Sequence, residues 1–441
     1  MLSAVSAVNE NGKKRKKLGP GKIALIVVAV ILALYAISMS VTQLILRDYI
    51  SELGSAEYDE DRLVPEVGEE GYYTFTSDDD IKIMQLNDVH IGGGIFSITK
   101  DKKTIYEVMT MVQKEKPDLV VLNGDNVFAV PSIAYNGGGT FNNKMASKNI
   151  LYMFETLQTY FTVSFGNHDT EVFDFCSRAD LGKLYMSDKY KYCIFNQDYD
   201  GYGVTNQCIL LKNTAGEITK AILVLDSNAY IDDTIKSCLD WKYDTIHDDQ
   251  VEWAKSVIED LSEKNGQAIK TICFFHIPIG EFATAYRDLE ANDFEDTATT
   301  QYIGGVWDEE IDEEMGERIW YGGCYRTDEE PEDVDSLFET LGPDGINTLE
   351  GIFVGHDHVN NAVVNYRGVI LGYGNAVDNL AYEDIAESGL QRGCIVINVS
   401  SDGSWTQVHK NVYTDYGADT DKFIKVNLDE WYYPGIEVPK N

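Results

Sequence analysis

The chain has 441 residues, of which 44% are hydrophobic and 25% are charged, and these fractions exclude a disordered or collagen-like protein. Acidic side chains outnumber basic ones by 73 to 36, which gives a formal net charge of -37 at pH 7. A body this acidic repels phosphate backbones and anionic lipid surfaces, so the composition argues against nucleic-acid binding. The length allows two or three domains, or one large domain with appendages.

The basic residues are concentrated at the N-terminus. Residues 1–22 hold six basic side chains and one acid, and residues 23–46 carry no charge. As a helix, the uncharged run would measure about 36 Å, enough to cross a hydrocarbon core of about 30 Å. The preceding basic tail predicts a single-pass span in the cell membrane, with a cytoplasmic N-terminus and an extracytoplasmic body. A cleaved signal peptide is the alternative, because Ala36, Ile37 and Ser38 resemble a cleavage site, but the run is longer than the roughly 7 to 15 apolar residues of a signal-peptide core.

The next segment, 47–80, is acidic and has no sustained apolar period, which predicts a stalk or linker. We expect the folded domain over 81–410 and a C-terminal extension, packed on that domain, over 411–441. Within the domain, 281–340 contains 20 acidic and three basic residues. We interpret this stretch as a surface insertion, and its position directly after His276 is compatible with a lid.

The start of the domain has the pattern of a βαβ unit. A strand is predicted over 81–86, an amphipathic helix over 101–116, and a strand buried on both faces over 119–122. Helices alternate with strands early and strands dominate later, which predicts an α/β fold with a mixed sheet packed in layers. Further strands are predicted at 160–165, 221–225, 271–275, 351–354, 368–371 and 394–399, and a further helix at 249–264.

The cysteines show no close-spaced metal-binding pattern, and their odd number leaves at least one unpaired. An exported location permits disulfides, although a chain of this size does not need them. Cys193 with Cys208, or Cys176 with either, are pairings that the sequence leaves open. The seven cysteines are 176, 193, 208, 238, 273, 324 and 394.

Side chains that can bind metal ions follow five of the predicted strands. One at a time, such motifs are common in turns and indicate little. Together, five strand ends would place many uncompensated polar groups at one edge of a sheet unless cations joined them. We therefore interpret the ordered set as a metal site. Its seven candidate ligands are Asp88, His90, Asp125, Asn167, His276, His356 and His358, and His168 and Asp169 directly follow Asn167.

The ligand types narrow the choice of metal. Carboxylate, imidazole and one amide oxygen, without thiolate, suit Mn, Fe or Zn. Seven ligands exceed the four of a tetrahedral zinc site, but they are enough for two divalent or trivalent transition-metal ions. Asp125 stands in the middle of the set and is the natural carboxylate to bridge two ions.

The order of these motifs resembles that of the calcineurin-like metallophosphoesterases. The chain is most similar to their purple-acid-phosphatase-like branch, through segments 249–253, 274–278 and 354–360, and the resemblance covers about residues 81–400. It implies a two-layered β-sandwich flanked by helices, with a dinuclear metal site. Carried over by position, the ligands of one ion are Asp88, His90, Asp125 and His358, and those of the other are Asp125, Asn167, His276 and His356.

One residue departs from the purple acid phosphatases. These enzymes carry an iron-ligating tyrosine after the Gly-Asp motif, where this chain has Phe128. A phenyl ring cannot coordinate a metal, so the resemblance does not extend to the purple iron centre, and the identity of the metal stays open.

The expected reaction is hydrolysis of phosphate monoesters of small extracytoplasmic molecules, with a metal-bound hydroxide as the nucleophile. His168 is the expected general acid and Asp169 the residue that orients it, unless His168 only hydrogen-bonds the substrate or a ligand. A phosphodiesterase or nucleotidase acting on nucleotides or lipid head groups is one alternative. A metal-dependent sensing or binding module without turnover is another. The pattern identifies no substrate and no oligomeric state.

Overall fold

The computed structural model describes residues 19–131, 138–231, 234–239, 242–305, 336–358, 360–381 and 392–418. Its helices are α1 (Pro20–Leu53), α2 (Ile98–Glu115), α3 (Asn143–Leu157), α4 (Arg178–Tyr185), α5 (Ile235–Leu239), α6 (Asp248–Asn265), α7 (Gly280–Glu290) and α8 (Ser336–Leu341), with a 3-10 turn at His168–Thr170. Its strands are β1 (Glu66–Val67), β2 (Tyr73–Thr76), β3 (Ile81–Leu86), β4 (Leu119–Asn123), β5 (Phe161–Ser164), β6 (Gln207–Lys212), β7 (Ile218–Val224), β8 (Thr271–Phe274), β9 (Thr300–Gly304), β10 (Leu349–Val354), β11 (Val363–Tyr366), β12 (Val369–Tyr373), β13 (Gly393–Val399) and β14 (Trp405–Asn411).

The strands form two mixed sheets that pack face to face. The smaller has the order β14-β13-β3-β4-β5, and the larger has the order β1-β2-β6-β7-β8-β10-β12-β11-β9. In the smaller sheet β3, β4 and β5 are parallel, with α2 and α3 as the connections between them. In the larger sheet β7, β8, β10 and β12 are parallel. This layered α/β sandwich confirms the predicted fold class.

Along the central strands, side chains alternate between an inner core, which lies between the two sheets, and an outer core beneath the helices that cover each sheet. Ile83 and Val121 of the smaller sheet face Ile222, Phe274 and Phe353 of the larger sheet, and all five are fully buried. The intervening residues point outward, beneath α2 and α3 on one side and beneath α6, α7 and α8 on the other. Because β4 is covered on both faces, residues 119–122 form an unbroken apolar run.

Amide side chains join the two sheets at the edge where their parallel strands end. Asn123, the last residue of β4, donates from Nδ2 to the main-chain oxygens of Phe275 (2.9 Å) and Phe353 (3.1 Å). Gln85 donates from Nε2 to the oxygen of Val354 at 3.2 Å. These amides are buried, so their bonds hold the ends of β3, β4, β8 and β10 together. The segments that follow these strands therefore meet in one place.

The C-terminal part of α1 packs on the domain. Apolar side chains between residues 23 and 34 are exposed, whereas Leu46 and Ile50 are fully buried against α2 and α3. The chain after α1 is packed as well, because the Tyr58 hydroxyl donates to the oxygen of Pro117 at 2.8 Å and β2 pairs with β6. This segment differs from the predicted stalk, since a four-residue strand and single docking residues leave no long periodic pattern.

Parts of the acidic stretch 281–340 also belong to the core. Phe282 and Leu289 of α7, and Leu337 of α8, are buried against the larger sheet, and β9 pairs with β11. Arg287 and Glu290 of α7 are exposed, although Glu281 is buried, and such exposed charges explain why composition alone predicted a surface insertion for this stretch. Residues 306–335 lie outside the described part of the chain.

No disulfide links the cysteines that the structure describes, which are all of them except Cys324. Cys208 packs in the core outside the larger sheet and Cys193 against the core outside the smaller one, so the pairing of these two does not form. Of the predicted C-terminal extension, 411–418 is described, and Tyr413 and Tyr416 pack on the α2 side of the domain. The rest of the extension lies outside the described residues.

The docking of α1 can be tested with two leucines of one helix. Leu46→Ala should lower the free energy of unfolding by about 2–5 kcal/mol, because it leaves a cavity beneath α1. Leu44→Ala is the matched control, since Leu44 is 70% exposed and its removal leaves no cavity. Thermal unfolding of the full chain in detergent micelles measures both. Equal effects of the two substitutions would show that α1 does not pack on the domain.

Candidate metal centre

Five strand ends bring the sequence-predicted ligands together. Asp88 and His90 follow β3, Asp125 follows β4, and Asn167 follows β5. His276 follows β8 in the larger sheet, and the loop after β10 supplies the remaining two histidines. Two groups of these side chains offer ligand atoms that all lie within 4.8 Å of one another. One group is Asp88, His90, Asp125 and His358, and the other is Asp125, His276 and His356.

Asp125 belongs to both groups, and its two oxygens have different neighbours. Oδ1 accepts a hydrogen bond from the main-chain nitrogen of His168 at 2.7 Å. Oδ2 lies 3.4 Å from Nε2 of His90 and 3.1 Å from Nε2 of His276, which are members of opposite groups. Asn167 immediately precedes His168 and is fully buried, and its Nδ2 lies 3.5 Å from the hydroxyl of Tyr230. This geometry suits a carboxylate shared between two cations.

The backbone is strained at the candidate ligands. The left-handed backbone region, with positive φ, is one that residues other than glycine rarely adopt. The residues with φ between 48° and 73° are Asp88, His90, Asp125 and His356. Such conformations cost about 1–3 kcal/mol each and cluster at functional sites. Gly124 makes the close approach possible, because its φ is 88° and a Cβ there would collide with the ring of His276. The loops are therefore shaped for the positions of these side chains at a cost in stability.

Several buried polar atoms in the site make no hydrogen bond of good geometry with the described residues, although two of them, Asp125 Oδ2 and His276 Nε2, lie 3.1 Å apart. They are Asp88 Oδ1, Asp125 Oδ2, Asn167 Oδ1 and His276 Nε2. A buried polar atom without a partner costs about 1–3 kcal/mol, so four in one cluster call for a ligand. Carboxylate and amide oxygens and an unprotonated imidazole nitrogen are electron-pair donors, and a metal cation is the group that all four can bind. The residues present fit two transition-metal ions.

The charges in the site compensate one another. Burial alone would raise the pKa of Asp125, but the imidazole of His276 outweighs it and holds this pKa well below its ordinary value. Burial opposes the charge on His358 as well, yet the Asp88 carboxylate raises the pKa of His358 to about 9. In contrast, burial and then the nearby His276 lower the pKa of His356 to about 3. The carboxylates are thus ionised, and a bound cation would take the place of the protons on His276 and His358, because metal ligands are deprotonated.

A third carboxylate, which the sequence analysis missed, holds two of the candidate ligands. Asp378 follows β12, and its Oδ1 lies 3.3 Å from Nδ1 of His90 while its Oδ2 lies 3.4 Å from Nδ1 of His358. With Nδ1 of each ring held in this way, Nε2 is left for the metal. The sequence feature that could have identified Asp378 is its position after a strand of the sheet that also supplies His276. It stands in no metal-binding motif.

His168 lies at the rim of the site and is held by a residue other than the expected one. Its Nδ1 lies 2.6 Å from Oε1 of Glu171. The expectation that Asp169 orients His168 is wrong, because Asp169 accepts hydrogen bonds from the main-chain nitrogens of Gly166 (2.7 Å) and Asn126 (3.1 Å). In a 3-10 turn, residue i+3 returns to the side of residue i while residue i+1 points elsewhere. Asp169 therefore shapes the two loops, and Glu171 faces the imidazole.

Phe128 occupies the space between two histidines. The centre of its ring lies 5.2 Å from that of His90 and 4.8 Å from that of His168. It therefore contributes an apolar wall to the site and no coordinating atom.

The role of Asp378 can be tested by its removal. Asp378→Ala should lower metal affinity about 10- to 100-fold, because His90 and His358 lose the carboxylate that orients their rings. Asp118→Ala is the control, since this carboxylate accepts a bond from the main-chain nitrogen of Lys82 at the opposite end of the sheet. Isothermal titration with Mn or Zn measures both variants. Unchanged affinity in Asp378→Ala would remove this residue from the site.

Comparison with known proteins finds one matching family model, several sequence relatives and a similar solved structure. The model of the calcineurin-like phosphoesterase family matches residues 81–360. An uncharacterized protein of Schizosaccharomyces pombe is 29% identical over 227 residues, which are 47% of this chain and 39% of that protein, so the chain matches about two fifths of that relative's length. A solved structure of a dimetal phosphatase from Danio rerio has 10% identity and a TM-score of 0.46, and the match covers 76% of this chain and 97% of that one.

Two relatives from Arabidopsis thaliana match more of the chain. Probable inactive purple acid phosphatase 28 is 24% identical over 336 residues, or 70% of this chain and 73% of that protein. Probable inactive purple acid phosphatase 14 is 23% identical over 393 residues, or 81% and 82%. Since the family model spans more than half of the sequence, the chain belongs to the calcineurin-like phosphoesterase family.

Proposed function

We propose that the chain is a membrane-anchored, extracytoplasmic phosphoesterase that hydrolyses phosphate monoesters with two metal ions of Mn, Fe or Zn. The observation that carries this proposal is the position of Asp125 Oδ2 between two groups of buried ligand atoms. The proposed metal ligands are Asp88, His90, Asp125, Asn167, His276, His356 and His358.

Bound cations would supply the activation of water and would offset the charge of the phosphoryl group. The chain's own residues provide the geometry and a proton. His168 is suited to meet the substrate, because its side chain is 25% exposed while those of His90 and His276 are fully buried. With Nδ1 directed at Glu171, Nε2 is the atom that can donate a proton to the leaving oxygen.

The proposed anchor rests on α1. Among the described residues this is the one helix long and apolar enough to cross a membrane, a test that signal sequences also pass. We propose that residues 23–46 are an uncleaved span, that 1–22 are a basic cytoplasmic tail, and that 81–410 are the catalytic domain. The proposed substrate is a small phosphorylated molecule outside the cytoplasm.

A second candidate is a metal-dependent sensing module without turnover, and the names of the two plant relatives favour it. The full chain in detergent, loaded with Mn or Zn, distinguishes the candidates. Hydrolysis of p-nitrophenyl phosphate supports the proposal, and preference for bis-p-nitrophenyl phosphate indicates a phosphodiesterase instead. Cleavage of neither substrate by the metal-loaded chain would leave the sensing module.

The bridging position of Asp125 makes a specific prediction. Asp125→Asn should abolish hydrolysis and remove both metal ions together, because a neutral amide replaces the one carboxylate that both ligand groups share. Elemental analysis of the purified variant reports the metal content independently of activity. Retention of one full equivalent of metal would contradict a shared ligand.

The proposed acid can be tested against a histidine outside the site. His168→Ala should keep the metal and lower kcat roughly 10²- to 10⁴-fold, and Glu171→Gln should lower kcat less, about 10- to 100-fold. His247→Ala is the matched control, because His247 is also partly exposed and also faces a carboxylate, that of Asp244, at 3.0 Å. A bell-shaped pH profile that loses its basic limb in His168→Ala would identify the group as an acid. Normal turnover in that variant would exclude the role.

A further inference from the structure

The position of α1 on the domain is fixed along much of its length. The Tyr35 hydroxyl donates to the oxygen of Thr140 at 3.1 Å, and Gln43 Nε2 donates to the oxygen of Met145 at 3.2 Å. About two turns further along α1, the Ser51 hydroxyl lies 2.9 Å from that of Tyr152. Residue numbers rise together on the two sides of these contacts, from 35 to 51 on α1 and from 140 to 152 on the α3 side. The helix α1 therefore lies beside α3 and runs in the same direction. The domain therefore cannot move freely with respect to the proposed span.

The contact between Tyr35 and Thr140 lies within the part of α1 that would span the bilayer. Tyr35 is 13 residues after Lys22, which in a helix is about 20 Å. The hydrocarbon core is about 30 Å thick. With Lys22 at the cytoplasmic head groups, the loop at Thr140 lies at the depth of the outer leaflet. The proposed anchor thus requires this part of the domain to be in contact with lipid.

The surface around this contact is apolar. Phe96 is 80% exposed and Phe175 is 61% exposed. The ring of Phe175 lies 6.3 Å from that of Tyr35 on α1, and the loop at Gly138 touches the backbone of Phe96. Water-exposed aromatic side chains that are continuous with an apolar helix are typical of a membrane interface. We call this surface the apolar rim, and its residues are Ile95, Phe96, Phe141, Val172, Phe173 and Phe175.

Basic side chains lie directly behind the apolar rim. The first six residues of α2 and the first six of α3 contain five lysines and one acid. The chain after residue 22, in contrast, has only 30 basic residues against 72 acidic ones. Lysines are attracted to a bilayer surface that carries anionic lipids. The local charge therefore favours anionic head groups, although the net charge of the protein opposes them. The lysines are Lys100, Lys102, Lys103, Lys144 and Lys148.

The metal centre opens at the same end of the domain. In a βαβ unit the carboxyl end of a strand and the start of the following helix lie at one edge, so the ends of β3 and β4 lie beside the starts of α2 and α3. Two loops of the apolar rim are direct continuations of the site. Phe96 is six residues after His90, and Val172 follows Glu171, which holds His168.

We propose that the apolar rim and its five lysines form a membrane-docking surface that inserts into the outer leaflet and turns the metal centre toward the lipid head groups. This inference rests on the proposed anchor, and it does not depend on whether the metal centre catalyses hydrolysis. The occupant is the bilayer, because the rim is continuous with α1 at the depth of the outer leaflet.

Photo-crosslinking of the full chain in vesicles tests the docking surface. A benzophenone amino acid replaces Phe96 or Phe175, in vesicles of phosphatidylcholine with phosphatidylserine. The same amino acid in place of Leu32 of α1 reports whether the helix spans the bilayer. In place of Tyr302 it is the control away from the rim, because Tyr302 is 38% exposed on β9, the edge strand of the larger sheet. We expect lipid adducts at positions 32, 96 and 175 and none at 302.

Three results would overturn the proposal. Lipid adducts at position 32 alone would show that the span exists and the rim stays in water. Adducts between two copies of the chain at positions 96 and 175, in place of lipid, would identify the rim as a dimer contact. Absence of lipid adducts at position 32 would reject the anchor, and the docking surface with it. Hydrolysis of p-nitrophenyl phosphate by the same samples reports the proposed function separately.

Discussion

The structure is organised around one electrostatic constraint, which is that electron-pair donors from five strand ends are buried within a few ångströms of one another. Oδ2 of Asp125 lies within 3.4 Å of two imidazole nitrogens that belong to different ligand groups. Such a cluster is unfavourable unless cations compensate it. This need to hold the donor atoms close together explains two features of the loops. Four candidate ligands have left-handed backbone, and Gly124 leaves room for the ring of His276. The strained loop conformations lower the stability of the fold and hold the donor atoms in place.

The two sheets contribute different parts of the site, and their packing determines its geometry. The smaller sheet supplies Asp88, His90 and Asp125, and the larger sheet supplies His276 and the His356 loop. Buried amides such as Asn123 bind main-chain oxygens across the junction, so a shift of one sheet against the other would separate the two ligand groups. Asp378 adds a second connection, since it comes from the larger sheet and faces His90 of the smaller. The apolar core thus positions the polar site.

Much of the fold and the candidate ligand set could be predicted from the sequence, for identifiable reasons. The apolar run before Asp125 marks a strand covered on both faces, and metal-binding side chains directly after strands mark the edge where they meet. The orientation of His168 could not be predicted, because adjacency in sequence favoured Asp169 whereas the 3-10 turn selects Glu171. Asp378 stands alone after its strand, and nothing in its local pattern distinguishes it from a turn residue. The packing of Leu46 was hidden because it lies within a run that also reads as a membrane span.

The central claim is that two cations share Asp125, and anomalous X-ray diffraction from crystals grown with Mn tests it most directly. The account predicts two anomalous peaks about 3.5–4 Å apart, with a carboxylate oxygen of Asp125 between them. A single peak, or two peaks that Asp125 does not bridge, would contradict it.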